Sequence, residues 1–314
     1  ESSNIDVPTF SVSPSTGVPL SAVHLLACPL CQHPLETKNA TILSKYIQTG
    51  NLSCPCGYTA TIQNGIIVTG NYFSHSDDHP DITRGLYKGL HPDFLKLYQR
   101  ASDMLTHDLQ SMNLETKVVL EANINGYFYL YNNFRNLPKN TIYIVVDKYP
   151  EMVAMYKSLI ERLNLDYDIL YIADAKLEYP IRKNSVDILI DFFGNSEYQF
   201  YNKNSYITDV SDYMKDACSA IGAYMNLGSN SQSTKNLSIK YKRSSPNLYS
   251  FPQLRMDYEK LGYLISSEVL GSVYETQKQF SFSCHQNGDE MRIYYYQAIR
   301  NSRGRCDLAH KSIK

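Results

Sequence analysis

Four short apolar runs between residues 117 and 193 dominate the hydrophobic pattern of the chain. Each run has the length of a buried strand and is followed by a polar residue, and helix-sized segments separate the runs. The predicted strands cover residues 118–120, 141–146, 168–172 and 185–190. The acids that follow them are Glu121, Asp147, Asp174 and Asp191. This pattern predicts a doubly wound α/β sheet that binds a nucleotide-like ligand at the carboxyl ends of its strands.

Weaker patterns predict the elements around these strands. Pro92 and Pro150 each suit the first turn of a helix, and apolar residues recur at helical spacing after both. A further helix is predicted over residues 206–220, with Gly222 ending it. Residues 264–275 and 292–299 predict two strands that complete the sheet as a hairpin.

Composition and charge limit the function classes. The chain has 314 residues, of which 43% are hydrophobic and 19% are charged, as expected of a globular protein. Its net charge of −1 provides no general attraction to nucleic acid. The sequence contains neither an apolar run long enough for a bilayer nor a signal peptide, which predicts a cytoplasmic protein without a membrane partner. The first residue is Glu1 rather than Met, which suggests that a longer polypeptide was trimmed.

Four of the seven cysteines form two close pairs, in CPLC at residues 28–31 and CPCG at 54–57. The chain between the pairs alternates apolar and polar residues, which predicts a hairpin with its turn at Thr49-Gly50-Asn51. Such a hairpin brings four thiolates together, as tetrahedral zinc requires. The predicted ligands of a structural zinc ion are Cys28, Cys31, Cys54 and Cys56. Disulfide bonds and uncoordinated thiols are the alternatives.

Two segments resemble the class I S-adenosylmethionine-dependent methyltransferases. VVDKYPEMVAMYK resembles the ribose-binding strand and helix of that family. ADAKLEYPIRKNSVDILIDFF resembles the later part of the family, where an Asp precedes Ala and a P…NS-V-D run leads into the fourth strand. The resemblance implies a Rossmann-like sheet of seven strands, the last of them antiparallel. It also implies that Asp147, with Lys148 beside it, binds the ribose and that Asp174 and Ala175 meet the adenine. Glu121 would order the first loop and the methionine amino group.

The first loop departs from the family pattern of an acid followed by three alternating glycines. Here the acid is followed by Asn123, Asn125 and a single glycine, Gly126. After glycine, asparagine is the residue that best tolerates positive φ, so the turn can form. Its side chains, with Tyr127, would crowd the methionine end of the cofactor or replace some of its hydrogen bonds. These loop residues and Asp191 complete the predicted cofactor site.

The predicted organisation is an extension at 1–20, a zinc ribbon at 21–70, a linker and packing helix at 71–113, a methyltransferase-like domain at 114–301 and a tail at 302–314. The cysteine pairs ahead of such a domain resemble the zinc-ribbon large-subunit rRNA guanine-N1 methyltransferases. That family implies an rRNA acceptor gripped by the ribbon, although a small-molecule acceptor fits the residues too. Asp191 and Asn195 are the predicted residues on the acceptor side.

A second family resemblance implies a different class of function. The chain also resembles the effector regions behind MerR-type DNA-binding domains. In that case it would be a non-catalytic ligand-binding domain, partnered with DNA through an upstream domain. The altered first loop and the low net charge are the features that keep this alternative open.

Overall fold

The computed structural model describes residues 15–73, 91–124, 129–240, 242–274, 285 and 288–302. Over these ranges the chain forms twelve strands that belong to a single sheet. The strands are β1 (Val18–Pro19), β2 (Glu36–Leu43), β3 (Tyr46–Ser53), β4 (Thr59–Gln63), β5 (Ile66–Val68), β6 (Val118–Ala122), β7 (Ile142–Asp147), β8 (Asp168–Ala173), β9 (Val186–Phe192), β10 (Met214–Leu227), β11 (Leu264–Tyr274) and β12 (Glu290–Arg300).

Helices connect most of the later strands. They are α1 (Pro92–Ser111), α2 (Tyr129–Asn133), α3 (Pro150–Glu161), α4 (Gly194–Gln199), α5 (Tyr206–Val210), α6 (Gln232–Lys240) and α7 (Phe251–Lys260). Pro92 and Pro150 occupy the first turns of α1 and α3, as predicted. None of the helices in the described ranges combines the length and apolar character that crossing a bilayer requires.

The strands follow the order β1-β3-β4-β5-β8-β7-β6-β9-β10-β12-β11, and β2 pairs with β3. Neighbours from β5 to β10 in this order are parallel, whereas β12 is antiparallel to both β10 and β11. The doubly wound α/β fold is therefore confirmed, and β6 to β12 supply the seven predicted strands. The sheet has more strands than predicted, because β5 pairs with β8 and so joins the N-terminal strands to the seven predicted ones.

Alternate residues of the central strands supply two apolar cores, one on each face of the sheet. In β7, Tyr143 and Val145 belong to one core, and Ile144 and Val146 belong to the other. Residues of α1, α2 and α3 complete the first core, and residues of α5, α7 and the N-terminal strands complete the second. Because both faces are covered, the central strands are apolar on both sides.

The predicted hairpin between the cysteine pairs forms, but the prediction of its turn at residues 49–51 is wrong. Leu43 of β2 lies opposite Tyr46 of β3, so Ser44 and Lys45 make the turn. Ser44 has a φ of 55°, the left-handed conformation that two-residue hairpin turns need. Gly50 lies within β3, opposite Ile62 of β4, where a strand glycine allows close approach of a neighbouring backbone.

The prediction of a helix over residues 206–220 is wrong beyond Val210. A single 3₁₀ turn follows α5, and β10 begins at Met214. Gly222 lies in the middle of β10, opposite Asp191 of β9. A Cβ on Gly222 would overlap the carbonyl oxygen of Asp191, so the glycine permits close packing of two strands and does not end a helix. A fully buried strand and a buried helix share an apolar pattern, which explains the error.

Candidate functional site

The candidate site lies at the carboxyl edge of the parallel strands. The strand order reverses at β6, with β7 and β8 on one side and β9 and β10 on the other, and ligands of parallel sheets bind at such a reversal. The four predicted acids all lie at this edge and are all buried. They are Glu121 in β6, Asp147 at the end of β7, Asp174 after β8 and Asp191 in β9.

Glu121 binds the start of the helix that follows its strand. Its carboxylate accepts hydrogen bonds from the Tyr156 hydroxyl at 2.8 Å and from the backbone N–H groups of Tyr129 and Leu130 at the start of α2. Burial raises the pKa of Glu121 to about 8, because removing a carboxylate from water penalises its charged form. Glu121 is therefore largely protonated at neutral pH.

The other three acids also accept hydrogen bonds from nearby backbone. Asp147 Oδ1 accepts from the Tyr149 N–H at 3.0 Å. Asp174 Oδ1 accepts from two N–H groups of the loop after β8, and burial raises its pKa. Asp191 Oδ1 accepts from the Asn195 N–H at 2.6 Å, and its Oδ2 accepts from the Tyr296 hydroxyl. Burial raises the pKa of Asp191 to about 6.

Several buried polar atoms at the same edge have no hydrogen-bond partner among the described residues. They are Nδ2 of Asn123 after β6, Nζ of Lys148 after β7, both side-chain atoms Oδ1 and Nδ2 of Asn195, and Oγ of Ser196 in α4 after β9. An unsatisfied buried polar group costs about 1–3 kcal/mol, so native proteins rarely keep several together without a ligand. The arrangement therefore fits a polar ligand with both donors and acceptors.

Lys148 extends across the carboxyl end of β6. Its Nζ lies 3.6 Å from Oε2 of Glu197 in α4, and both side chains are buried. The same ammonium lies 5.4 Å from the ring centre of Tyr149 and 5.2 Å from that of Tyr201. Since β6 lies between β7 and β9, this ion pair links the two sides of the strand-order reversal.

Residues 69–73, which we call the strap, leave β5 and cover the carboxyl ends of β8 and β7. The Ala175 N–H donates to the Asn71 carbonyl at 2.7 Å, and the Phe73 N–H donates to the Lys148 carbonyl at 2.7 Å. Thr69 Oγ1 donates to Asp174 Oδ2 at 2.7 Å. The predicted adenine-binding residues thus contact the strap.

Two predicted site residues, Asn125 and Gly126, lie outside the described residues. Asn123 has a φ of 55°, the left-handed conformation that the sequence predicts for an asparagine in this loop. Sequence reasoning missed Ser196 and the strap. Ser196 carries no local signal, and the strap reaches the site only because β5 pairs with β8.

The four cysteines of the two predicted pairs come together at the N-terminal end of the chain. Their Sγ atoms all lie within 4.8 Å of one another, and the four thiols could hold a metal ion. The Cys28–Cys56 and Cys31–Cys54 sulfur distances of 3.5 and 3.3 Å are close to the roughly 3.8 Å expected from tetrahedral Zn–S bonds of about 2.3 Å. Cys28 Sγ also accepts a backbone hydrogen bond from Cys31, which suits a thiolate ligand.

The order of the strands identifies the fold. β6 to β12 form the seven-stranded part of the sheet. The last of these strands, β12, is antiparallel and lies between β10 and β11, as the sequence resemblance implies. The fold is that of the class I methyltransferases.

Comparisons with known proteins were made with the sequence and with the structure. No protein-family model matches the sequence, and no curated protein matches it. The structure is similar to that of a SAM-dependent methyltransferase from Aquifex aeolicus, with 15% identity and a TM-score of 0.43 over 67% of this chain and 94% of that chain. It is also similar to geranyl diphosphate C-methyltransferase from Streptomyces coelicolor A3(2), with 12% identity and a TM-score of 0.44 over 73% of this chain and 94% of that chain.

A third similar structure is phosphoethanolamine N-methyltransferase 2 from Haemonchus contortus, with 14% identity and a TM-score of 0.43 over 64% of this chain and 52% of that chain. The names of the second and third of these proteins describe different methyl acceptors. At this level of identity the likeness concerns the fold alone, and the function has to be argued from the residues of this chain.

Proposed function

We propose that the chain binds S-adenosylmethionine at the carboxyl edge of β6 and β9 and transfers its methyl group to an acceptor. The observation that carries the proposal is the group of polar atoms on Asn123, Asn195 and Ser196 that have no hydrogen-bond partner within the described part of the chain. A zwitterionic amino-acid group offers both a carboxylate for N–H donors and an ammonium for oxygen acceptors. Such a ligand would remove a cost of about 1–3 kcal/mol for each unsatisfied group.

The remaining contacts are assigned from the sequence resemblance. Asp147 would accept hydrogen bonds from the ribose hydroxyls, and Asp174 would accept from the adenine amine. When bound, S-adenosylmethionine supplies an electrophilic methyl group on its sulfonium. The chain has to orient this group and exclude water, because methyl transfer depends mainly on in-line positioning of the acceptor.

Aromatic side chains support the positioning role on the acceptor side. The rings of Phe192 and Phe193 lie 4.9 Å apart, and only Gly194 separates them from Asn195 in the sequence. Tyr98 of α1 packs against Phe192 with ring centres 5.2 Å apart. These buried rings offer an apolar wall that keeps water from a sulfonium. Asp191, whose pKa burial raises to about 6, could take a proton from an acceptor at neutral pH.

An rRNA acceptor is the more specific form of the proposal. Its support is the resemblance of the cysteine pairs to the zinc-ribbon rRNA methyltransferases. Zinc as the metal held by Cys28, Cys31, Cys54 and Cys56 belongs to the same proposal, supported by the grouping of the thiols.

Calorimetric titration with S-adenosylhomocysteine tests the ligand. We expect binding by the wild type and about tenfold weaker binding by Asn195→Ala, because the loss of one or two hydrogen bonds costs about 1.4 kcal/mol. Asn51→Ala is the matched control, since Asn51 is an exposed asparagine of β3. Equal affinity in both variants would contradict the proposal, and so would the absence of binding by the wild type and by every variant.

Transfer of tritium from labelled S-adenosylmethionine tests the reaction. Incorporation into rRNA would support the specific proposal, and incorporation into small molecules alone would support methyl transfer while ruling out rRNA. Binding of the ligand without transfer to either class would contradict catalysis and favour the non-catalytic, ligand-sensing alternative.

A further inference from the structure

The strap (residues 69–73) contacts two strand ends at the proposed cofactor site. Beyond β5, the Thr69 N–H donates to the Ala173 carbonyl at 3.2 Å and so continues the pairing with β8. Two residues later, the Asn71 carbonyl accepts from Ala175 after β8. The Phe73 N–H then bonds the Lys148 carbonyl after β7. The strap therefore runs from one strand end to the next along the edge.

The contacts of the strap use the polar groups that a ligand needs at this edge. Asp174 Oδ2 is an acceptor, and the N–H of the next residue, Ala175, is a donor. The Thr69 hydroxyl donates a hydrogen bond to Asp174 Oδ2, and the Asn71 carbonyl oxygen accepts one from the Ala175 N–H. A nitrogen heterocycle with an amine beside a ring nitrogen presents the same donor and acceptor. Asp174 and Thr69 are both about 2% exposed, so a ligand cannot reach the acid while the strap stays in place.

We propose that the strap is an internal competitor of the cofactor, which occupies the hydrogen-bonding groups of Asp174 and Ala175 until a nucleoside replaces it. The inference rests on the proposed function and adds a conformational step to it. Binding of the nucleoside would break the bonds made by Thr69, Asn71 and Phe73. The apparent association constant for the cofactor then equals the intrinsic constant multiplied by the fraction of molecules in which the strap is released.

Release of the strap can stay local because β5 is held independently. Ile66, Ile67 and Val68 pair with Tyr171, Ile172 and Ala173 of β8. Ile67 is fully buried in the core shared with the N-terminal strands. Tyr72 is half exposed, and a Cβ on Gly70 would meet no other atom within 4 Å. The main packing contacts of the strap are those of Phe73, whose ring centre lies 5.9 Å from that of Tyr149 and 5.0 Å from that of Tyr201. Release of the strap therefore gives up these two ring contacts in addition to its hydrogen bonds.

Calorimetric titration of Thr69→Val with S-adenosylhomocysteine tests the inference. Valine keeps the branched shape and removes the hydroxyl, so the strap loses its bond to the Asp174 carboxylate. We expect about tenfold tighter binding than by the wild type, which corresponds to the loss of about 1.4 kcal/mol of competing hydrogen bonding. Thr59→Val, at an exposed position of β4, is the matched control and should bind as the wild type does.

Hydrogen exchange of the wild type gives a second measurement that needs no variant. Saturation with S-adenosylhomocysteine should speed exchange of the Thr69 and Phe73 amides, and slower or unchanged exchange would overturn the inference. Unchanged or weaker binding by Thr69→Val, with binding by the wild type, overturns the strap inference alone. Failure of both proteins to bind overturns the proposed function as well. Binding by Thr69→Val alone supports the strap as a competitor.

Discussion

The free energy of unfolding should fall between about pH 6 and pH 8, and replacing Glu121 by glutamine should remove a large part of this fall. Glu121 is buried in β6, and burial raises its pKa from 4.5 to about 8. The folded state therefore holds this proton more tightly than the unfolded state does. Unfolding releases the proton at any pH between these two pKa values. The contribution of Glu121 to the free energy of unfolding is therefore greatest below about pH 4.5 and falls as the pH rises to about 8.

The magnitude follows from the two pKa values. A raised pKa from 4.5 to about 8 corresponds to at most about 5 kcal/mol, since each unit is worth about 1.36 kcal/mol. About 2 kcal/mol of this loss falls between pH 6 and pH 8. Asp191, with a pKa of about 6, loses most of its own contribution below that range. The range from pH 6 to pH 8 thus separates Glu121 from Asp191.

Urea unfolding at pH 6, 7 and 8 measures the effect, with the wild type and Glu121→Gln compared at each pH. Glutamine keeps an oxygen that can accept from Tyr156 or from the start of α2 and has no proton to lose. The difference in unfolding free energy between the two proteins should shift by about 2 kcal/mol toward the variant across this range. Parallel pH dependences would refute the assignment of a protonated carboxyl at this position.

Two further predictions concern the packing of the sheet and the cysteine cluster. Gly222→Ala should destabilise the protein by about 3 kcal/mol in urea unfolding, because the added Cβ would overlap Asp191. Gly228→Ala is the control and should be nearly neutral, because a Cβ at that position meets nothing within 4 Å. Equal stabilities would contradict the close approach of β9 and β10. Cys54→Ser should lower bound zinc from about one equivalent to less than about a tenth by metal analysis and should lower the melting temperature. An unchanged zinc content would rule out Cys54 as a ligand.

The sequence predicts the elements whose signals are local. The runs that form β6 to β9 are short, apolar and followed by acids, so both their strand structure and the meeting of Glu121, Asp147, Asp174 and Asp191 follow from the pattern. The spacing of the cysteines likewise predicts their grouping. The pattern does not predict how these acids are oriented. In the structure, each of them accepts hydrogen bonds from backbone N–H groups close to the end of its own strand.

The features that the sequence does not predict depend on contacts between distant segments. Thr69 and Asp174 are 105 residues apart, and only the pairing of β5 with β8 brings them together. Residues 214–227 are apolar enough for a buried helix or a buried strand, and their place between β9 and β12 decides between the two. In both cases the tertiary neighbour, rather than the local pattern, determines the conformation.

The pairing of β5 with β8 also affects how the protein resists aggregation. β8 has the sequence DILYIA and would be the outermost parallel strand of a seven-stranded sheet, with one row of amides and carbonyls open to other chains. The N-terminal strands cover that row and place the largely exposed β2, which carries Glu36 and Lys38, beyond it. Shortening the chain to its later strands would uncover β8 and favour intermolecular strand pairing. Expression and storage of the protein therefore call for a chain that keeps its N-terminal strands.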